Sequence, residues 1–143
     1  MSHVMKISEA ASLGLHTMVM LAGNQEKLLS AKVISGKLKV SEAHLAKVLQ
    51  RLAHGGLVKS IRGPKGGFKL AKAKEKISLL EVFEAIEGPM IFNPCLLAGS
   101  VCSGKKCIFG EVLGLGNQMF RQYMMGTNLE MLSSTFKEEC HVS

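Results

Sequence analysis

VSEAHLAKVLQRLAHGGLVKSIRGPKGGFKL, residues 40 to 70, is the stretch on which the fold turns. Its first half has the spacing of an amphipathic helix. Leu45, Val48, Leu49 and Leu52 recur at i, i+3, i+4 and i+7, which gives one buried face. Ser41 is placed to cap that helix, and Glu42 puts a negative charge in the first turn, where the dipole favours it. Gly55-Gly56 closes it. The opposite face carries Ala43, His44, Lys47, Gln50, Arg51 and His54, with no acid after Glu42. The second half changes period. Leu57 to Arg62 alternates, Leu57 and Ile61 on one side, Ser60 and Arg62 on the other, as a strand does. Gly63-Pro64-Lys65-Gly66-Gly67 is a turn that uses glycine's positive φ, and Phe68-Lys69-Leu70 returns as a second strand.

Immediately upstream, Ser30 caps a shorter helix that buries Val33, Ile34 and Leu38, with a tight junction at Lys39-Val40. Two short helices so joined form a helix-turn-helix, and a basic hairpin directly after it makes a winged helix. The expected fold is therefore mainly α. The recognition helix would lie in the major groove of double-stranded DNA, offering Ser41, Glu42, His44, Lys47 and Arg51. Arg62, Pro64, Lys65 and Gly66 at the wing tip would reach the sugar-phosphate edge or the minor groove. The competing reading is a small core with a solvated basic face.

Charge distribution weighs against that alternative. The 143 residues carry a net +7, spread unevenly. Residues 30 to 76 hold twelve Lys or Arg against two Glu, a balance of +10. Residues 77 to 143 hold four against seven, a balance of −3, and residues 1 to 29 hold two against two. A basic segment beside a mildly acidic remainder is the footprint of a polyanion-binding module.

The first helix should run from a Ser8 cap to about Ala22. It is apolar on most sides, so it should sit between other elements, except for the stripe Glu9, Ser12 and His16 at i, i+3 and i+7. Such a stripe is either a solvated edge or a functional face. Ala10 to Ala22 resembles the apolar core of a signal peptide, but Ser12, His16 and Thr17 interrupt it, and no apolar run reaches membrane length. A cytoplasmic protein with no membrane partner is expected. Beyond the wing, residues 71 to 76 form a basic connector, and Ser78-Leu79-Leu80-Glu81 is a capping box opening a helix that buries Leu79, Val82, Phe83 and Ile86. Gly88-Pro89 stops it. A long helix is expected from about Cys107 to Met125, with Ile108, Val112, Leu115, Met119 and Tyr123 in one stripe and Phe109, Leu113, Phe120 and Met124 in a neighbouring one. So wide an apolar face calls for a second subunit, hence a homodimer. Gly110, Gly114 and Gly116 fit either close backbone approach there or a kink. Thr127-Asn128-Leu129-Glu130 starts a short terminal helix burying Leu129, Leu132 and Phe136. Functionally the chain divides into residues 1–76, a DNA-binding unit that includes the first helix, and residues 77–143, a sensor loop with dimerisation helices.

Cys95, Cys102 and Cys107 lie in a glycine-rich stretch between two helices, beside Lys105 and Lys106, whose charges favour thiolates. In a reducing compartment such cysteines are more readily metal ligands or reactive thiols than disulfides. Metal or cluster binding, reactive thiols and inert side chains all remain open on spacing alone. Cys140-His141 could add a ligand, but frayed tails more often carry bystanders.

The order of a polar-striped first helix, helix-turn-helix, wing, capped helix, three-cysteine loop and long C-terminal helix resembles the Rrf-two family of IscR/NsrR/RirA-like regulators. The strongest parts of the resemblance are Leu57 to Gly67 and the trio Cys95, Cys102 and Cys107, and it covers about residues 5 to 137. It implies a dimeric transcription factor, most often a repressor, with Cys95, Cys102 and Cys107 holding an iron–sulfur cluster, 2Fe-2S in preference to 4Fe-4S. Some members place a histidine three residues after the third cysteine, and here that position is Gly110. Others are similar to a scheme in which the partner's first helix supplies the fourth ligand. On that helix His16 is the best donor, ahead of Glu9 and Ser12.

Two functions from different classes follow. One is a homodimeric DNA-binding regulator that senses iron, redox state or nitric oxide through a cluster. The other is a cluster-free winged-helix regulator controlled by a protein partner or by a cysteine thiol switch. An enzyme is not expected, because no carboxylate pair, nucleophile–base pair or phosphate loop stands out.

Overall fold

Serine side chains start most of the helices. The Oγ atoms of Ser8, Ser30, Ser41 and Ser78 accept from the N–H groups of Ala11, Val33, His44 and Glu81. They open α1 (Glu9–Gly23), α2 (Ala31–Leu38), α3 (Glu42–His54) and α4 (Leu79–Glu87). Asn128 does the same for the short α6 (Leu129–Leu132), accepting from Met131 N–H. The computed structural model describes residues 6 to 92, residue 95 and residues 107 to 136. Cys102 and the Cys140-His141 pair lie outside the described residues.

The helix-turn-helix forms as the sequence predicts. α2 ends at Lys39, which takes the left-handed conformation at φ 57 although it is not glycine. Val40 N–H then donates to Ser35 O, and Ser41 caps α3. Leu45, Val48, Leu49 and Leu52 are all buried. The wing is an antiparallel hairpin, β1 (Val58–Ile61) against β2 (Gly67–Leu70), in the register Val58 with Leu70, Lys59 with Lys69, Ser60 with Phe68 and Ile61 with Gly67. Leu29 adds an antiparallel bridge to Phe68, each N–H donating to the other's carbonyl. Both glycines after Lys65 are sterically required. A Cβ on Gly66 would lie 2.1 Å from Ile61 O, and one on Gly67 would lie 2.8 Å from Leu29 O.

α1 is the centre of the core and packs on α2, α3, α4, α6 and β2. It buries Leu13, Met18, Val19, Met20 and Leu21 against residues of the helix-turn-helix and of α4. Thr17 is buried there too, and its Oγ1 has no hydrogen-bond partner among the described residues. The start of α4 is tied to the start of α6: Leu79 N–H donates to Thr127 O, and Leu129 N–H to Ile77 O. Among the described residues no helix is long and apolar enough to cross a membrane.

Four sequence expectations need correction. Val33 is 44% exposed, so α2 buries Ile34 and Ser35 instead. Leu57 and Ile61 do not share a buried side: Val58, paired with Leu70, is buried beside Leu57, and Ile61 is 40% exposed at the wing. The long helix starts later than predicted. Residues 108 to 111 form turns, Gly110 has φ +60, and α5 spans Val112–Gly126 without a side-chain cap. Gly110 therefore breaks the chain before the helix and is not part of its packing face. The basic connector, for which the sequence predicts no regular element, contains a 3-10 turn, Lys74–Lys76.

Candidate nucleic-acid interface and cysteine segment

With one face of α3 sealed in the core, the opposite one is left to solvent. Glu42, Lys47, Gln50, Arg51 and His54 are exposed, and His44 is half-buried. At the start of the helix the Ser41 hydroxyl accepts from His44 N–H at 3.1 Å, so its first task is capping. The wing projects beyond, with Arg62, Pro64 and Lys65 exposed and Gly66 half-buried, its N–H donating to Gly63 O. Arg51 has a partner within the fold. Its Nη1 donates to Ile86 O, 3.2 Å away at the end of α4, so its guanidinium is at least partly engaged within the fold.

The positive charge of this half divides into two sets. Lys72 pairs with Glu81, and Lys74 pairs with Glu130 at 2.9 Å. By contrast Lys39, Lys47, Lys59, Arg62, Lys65 and Lys69 have no ion-pair partner among the described residues. Three of these escaped the candidate set. Lys59 and Lys69 stand directly opposite each other on the wing, both exposed, although like charges so placed repel. Their alternation with the buried Val58 and Leu70 was the available signal. Lys39 holds a charge in the turn just before the recognition helix, at a φ that a lysine adopts at some cost. Unpaired cations on a recognition helix, the turn before it and a hairpin form a surface suited to a phosphate backbone.

Two of the three cysteines of the cysteine segment lie among the described residues. Cys95 is half-buried. Cys107 is exposed, and Phe109 N–H points at its Sγ, 3.5 Å away. His16 is exposed on α1 and, with Glu9, Ser12, Leu13, Leu38 and Val40, lines a shallow pocket of about 190 Å³. Its Nδ1 lies 2.6 Å from Ser12 O. A carbonyl can only accept, so Nδ1 carries the proton and neutral imidazole presents Nε2 as the lone-pair nitrogen. The His16 ring meets Phe136 edge-on, with centroids 6.1 Å apart. Among the described residues, no three His, Cys, Asp or Glu side chains converge as a metal site.

Ile108 at 93%, Val112 at 68% and Met119 at 72% exposed continue with Leu115 and Tyr123 as one apolar stripe along α5 and the turn before it. The other side of α5 buries Met124 and carries Phe120, which meets Phe92 edge-on.

Comparison with known proteins gives a consistent set of likenesses. A family model described as "Rrf2: Iron-dependent Transcriptional regulator" matches residues 7–135. A protein of Aquifex aeolicus assigned as an HTH-type transcriptional regulator is 33% identical over 141 residues, 96% of each chain. Three other relatives align over between 38% and 63% of their own length. Among solved structures, CymR, the global cysteine regulator of B. subtilis, superposes with a TM-score of 0.76 at 28% identity, covering 94% of this chain and 100% of that one. IscR of T. potens superposes with a TM-score of 0.72 at 25% identity, covering 98% and 93%.

Proposed function

The chain belongs to the Rrf2 family of transcriptional regulators, and from that premise we propose that it is a cytoplasmic homodimeric repressor that binds double-stranded DNA and responds to its cysteine segment. Its relatives are regulators of transcription, not enzymes. One observation carries the DNA reading: Lys47, Arg62 and Lys65 have no ion-pair partner among the described residues, whereas Lys72 and Lys74 of the connector pair with Glu81 and Glu130. Residues 1–76 form the DNA-binding unit in this scheme, and residues 77–143 sense and dimerise. Lys47, Arg62 and Lys65 contact the duplex, with Glu42 and His44 at the groove edge. Ser41 caps the helix that presents them, and Pro64 and Gly66 shape the wing tip. A salt titration with a duplex selected in vitro by the wild-type protein tests this reading. The log–log slope should be about −0.9 per phosphate neutralised. A protein that selects no duplex sinks it.

The sensor we infer is an iron–sulfur cluster, 2Fe-2S in preference to 4Fe-4S, held by Cys95, Cys102 and Cys107. The described donors fit in kind. Cys107 Sγ already has a backbone donor, and His16 offers Nε2 while Nδ1–H is held by a carbonyl, the arrangement of a metal-ligating histidine. Such a cluster supplies a centre responsive to iron supply, redox state or nitric oxide. His16 on the partner subunit's first helix is the proposed fourth ligand, since Gly110 has no side chain to give. Anaerobic purification with iron and sulfide analysis and a visible spectrum is the test. Cys95→Ala, Cys102→Ala or Cys107→Ala should abolish the colour, and His16→Ala should leave an altered but present cluster. The second reading, a cluster-free thiol switch, is favoured by the exposure of Cys107 and by the likeness to CymR. A colourless protein whose DNA affinity changes on thiol oxidation decides for it.

A further inference from the structure

α4 ends without a cation of its own. Its last turn holds Glu84 and Glu87, its dipole points a partial negative charge outward, and no basic residue lies in that turn. The charge is answered from α3: Arg51 donates to Ile86 O at 3.2 Å, one of the carbonyls that a helix end leaves unmatched. Close packing holds the two helices there, since a Cβ on Gly55, which caps α3, would meet Ala85 Cβ at 3.2 Å.

The next residues are held just as firmly. Gly88 turns the chain at φ +84, and the peptide group of Met90 is fixed at both poles. Its N–H donates to Glu84 Oε2 of α4 at 2.8 Å, and its carbonyl accepts from Arg121 Nη1 of α5 at 3.1 Å. Met90 is buried, and Phe92 rests edge-on against Phe120 of α5. Cys95 follows three residues later. The strap from Ile86 to Phe92 is thus pinned to the recognition helix by one arginine and to α5 by another, at the entrance to the cysteine segment.

We propose that Arg51 and Arg121 are positioning residues that couple the cysteine segment to the recognition helix, Arg51 through the end of α4 and Arg121 through the strap. Arg51 then acts on DNA binding by fixing the angle of α3 and not as a phosphate contact. Any change that pulls the chain at Cys95 is felt at Met90, passes through Glu84 to α4, and reaches α3 through Arg51. The inference rests on the reading of the cysteine segment as the sensor, and the experiment separates the two.

The probe is N-ethylmaleimide, applied to the reduced full-length protein with Cys140→Ser in the background, so that only Cys95, Cys102 and Cys107 react. Duplex affinity is measured before and after labelling, across a salt titration. The wild-type background should show an affinity ratio between the two states of about 5-fold or more. Arg121→Gln and Arg51→Gln should each bring that ratio to within about twofold, with the salt slope unchanged. Arg121→Lys and Arg51→Lys, which keep a donor, should restore part of it and guard against a folding artefact. If the ratio persists in both glutamine variants, the coupling role is wrong and the sensor reading stands. A ratio that persists in Arg51→Gln while the salt slope falls by about 0.9 makes Arg51 a phosphate contact instead. If labelling leaves the wild-type affinity unchanged, the sensor reading fails and the coupling fails with it.

Discussion

The wing and α5 both leave one side to solvent, and they leave opposite things there. α3 buries Leu45, Val48, Leu49 and Leu52, the wing buries Val58 and Leu70, and both expose lysines with no ion-pair partner among the described residues, whose charge water solvates well. α5 buries Met124 and exposes Val112, Leu115, Met119 and Tyr123. Exposed cations cost the fold little while they wait for a ligand. A contiguous apolar stripe costs roughly 25 cal/mol for each Å² left in water and is an unfinished core. On the proposed function, the difference separates a surface met on occasion by DNA from one covered permanently by a second subunit.

The sharpest way to break that contrast is to charge the stripe. Met119→Asp would bury an unpaired carboxylate in each half of the proposed dimer, at about 3–5 kcal/mol per subunit. It should convert dimer to monomer in light scattering while the helical circular dichroism persists. A wild-type protein that is already a well-folded monomer at micromolar concentration would sink the permanent-interface side of the comparison.

Smaller effects are expected on the wing. Arg62→Ala should weaken duplex binding by about 1–3 kcal/mol without lowering the melting temperature, because Arg62 has no ion-pair partner among the described residues. Equal affinity of mutant and wild type across a salt titration would show that the wing does not touch DNA. Gly67→Ala should act through structure, pushing a methyl into the Leu29 backbone and costing of the order of 1–3 kcal/mol of stability. Thermal melts read it directly, and an unchanged midpoint would mean that the Leu29–Phe68 bridge yields easily.

The smallest effect sharpens the comparison furthest. Lys59→Gln removes a like-charge pair with Lys69 and should stabilise the hairpin by about 0.2–1 kcal/mol. The same change should reduce the salt slope of duplex binding by about 0.9. Stability and affinity moving in opposite directions is the signature of charge kept for a ligand. Loss of both would mean that Lys59 serves the fold.

What the sequence showed clearly was local. The caps at Ser8, Ser30, Ser41 and Ser78 and the α3 stripe depend on residues within one or two turns, so spacing reveals them. The same holds for the glycine-rich wing turn, whose strain lies in its own backbone. What it hid was remote. Nothing near Arg51 points to Ile86 O, and nothing near Leu29 announces Phe68, because those partners are chosen by packing. Ile61 misled because period two fixes a side of the strand, while the twist of a short hairpin decides whether that side is covered. The start of α5 was misplaced because Ile108 and Phe109 continue the apolar period through a turn that Gly110 breaks. On the cysteine side, residue types were legible, and His16 stood out as the strongest donor of its stripe. Its tautomer was not, since that required seeing Ser12 O.

Thr17 gives the molecule an evolutionary dimension. A buried hydroxyl with no partner costs about 1–3 kcal/mol relative to an apolar group of the same shape, and valine is nearly that shape. Selection on a regulator rewards occupancy of a promoter and does not reward stability beyond a threshold, so such a residue persists at the centre of α1. Thr17→Val is therefore a route to mutational robustness: a lineage or a laboratory that takes it first gains tolerance for disruptive changes on the DNA-facing surface.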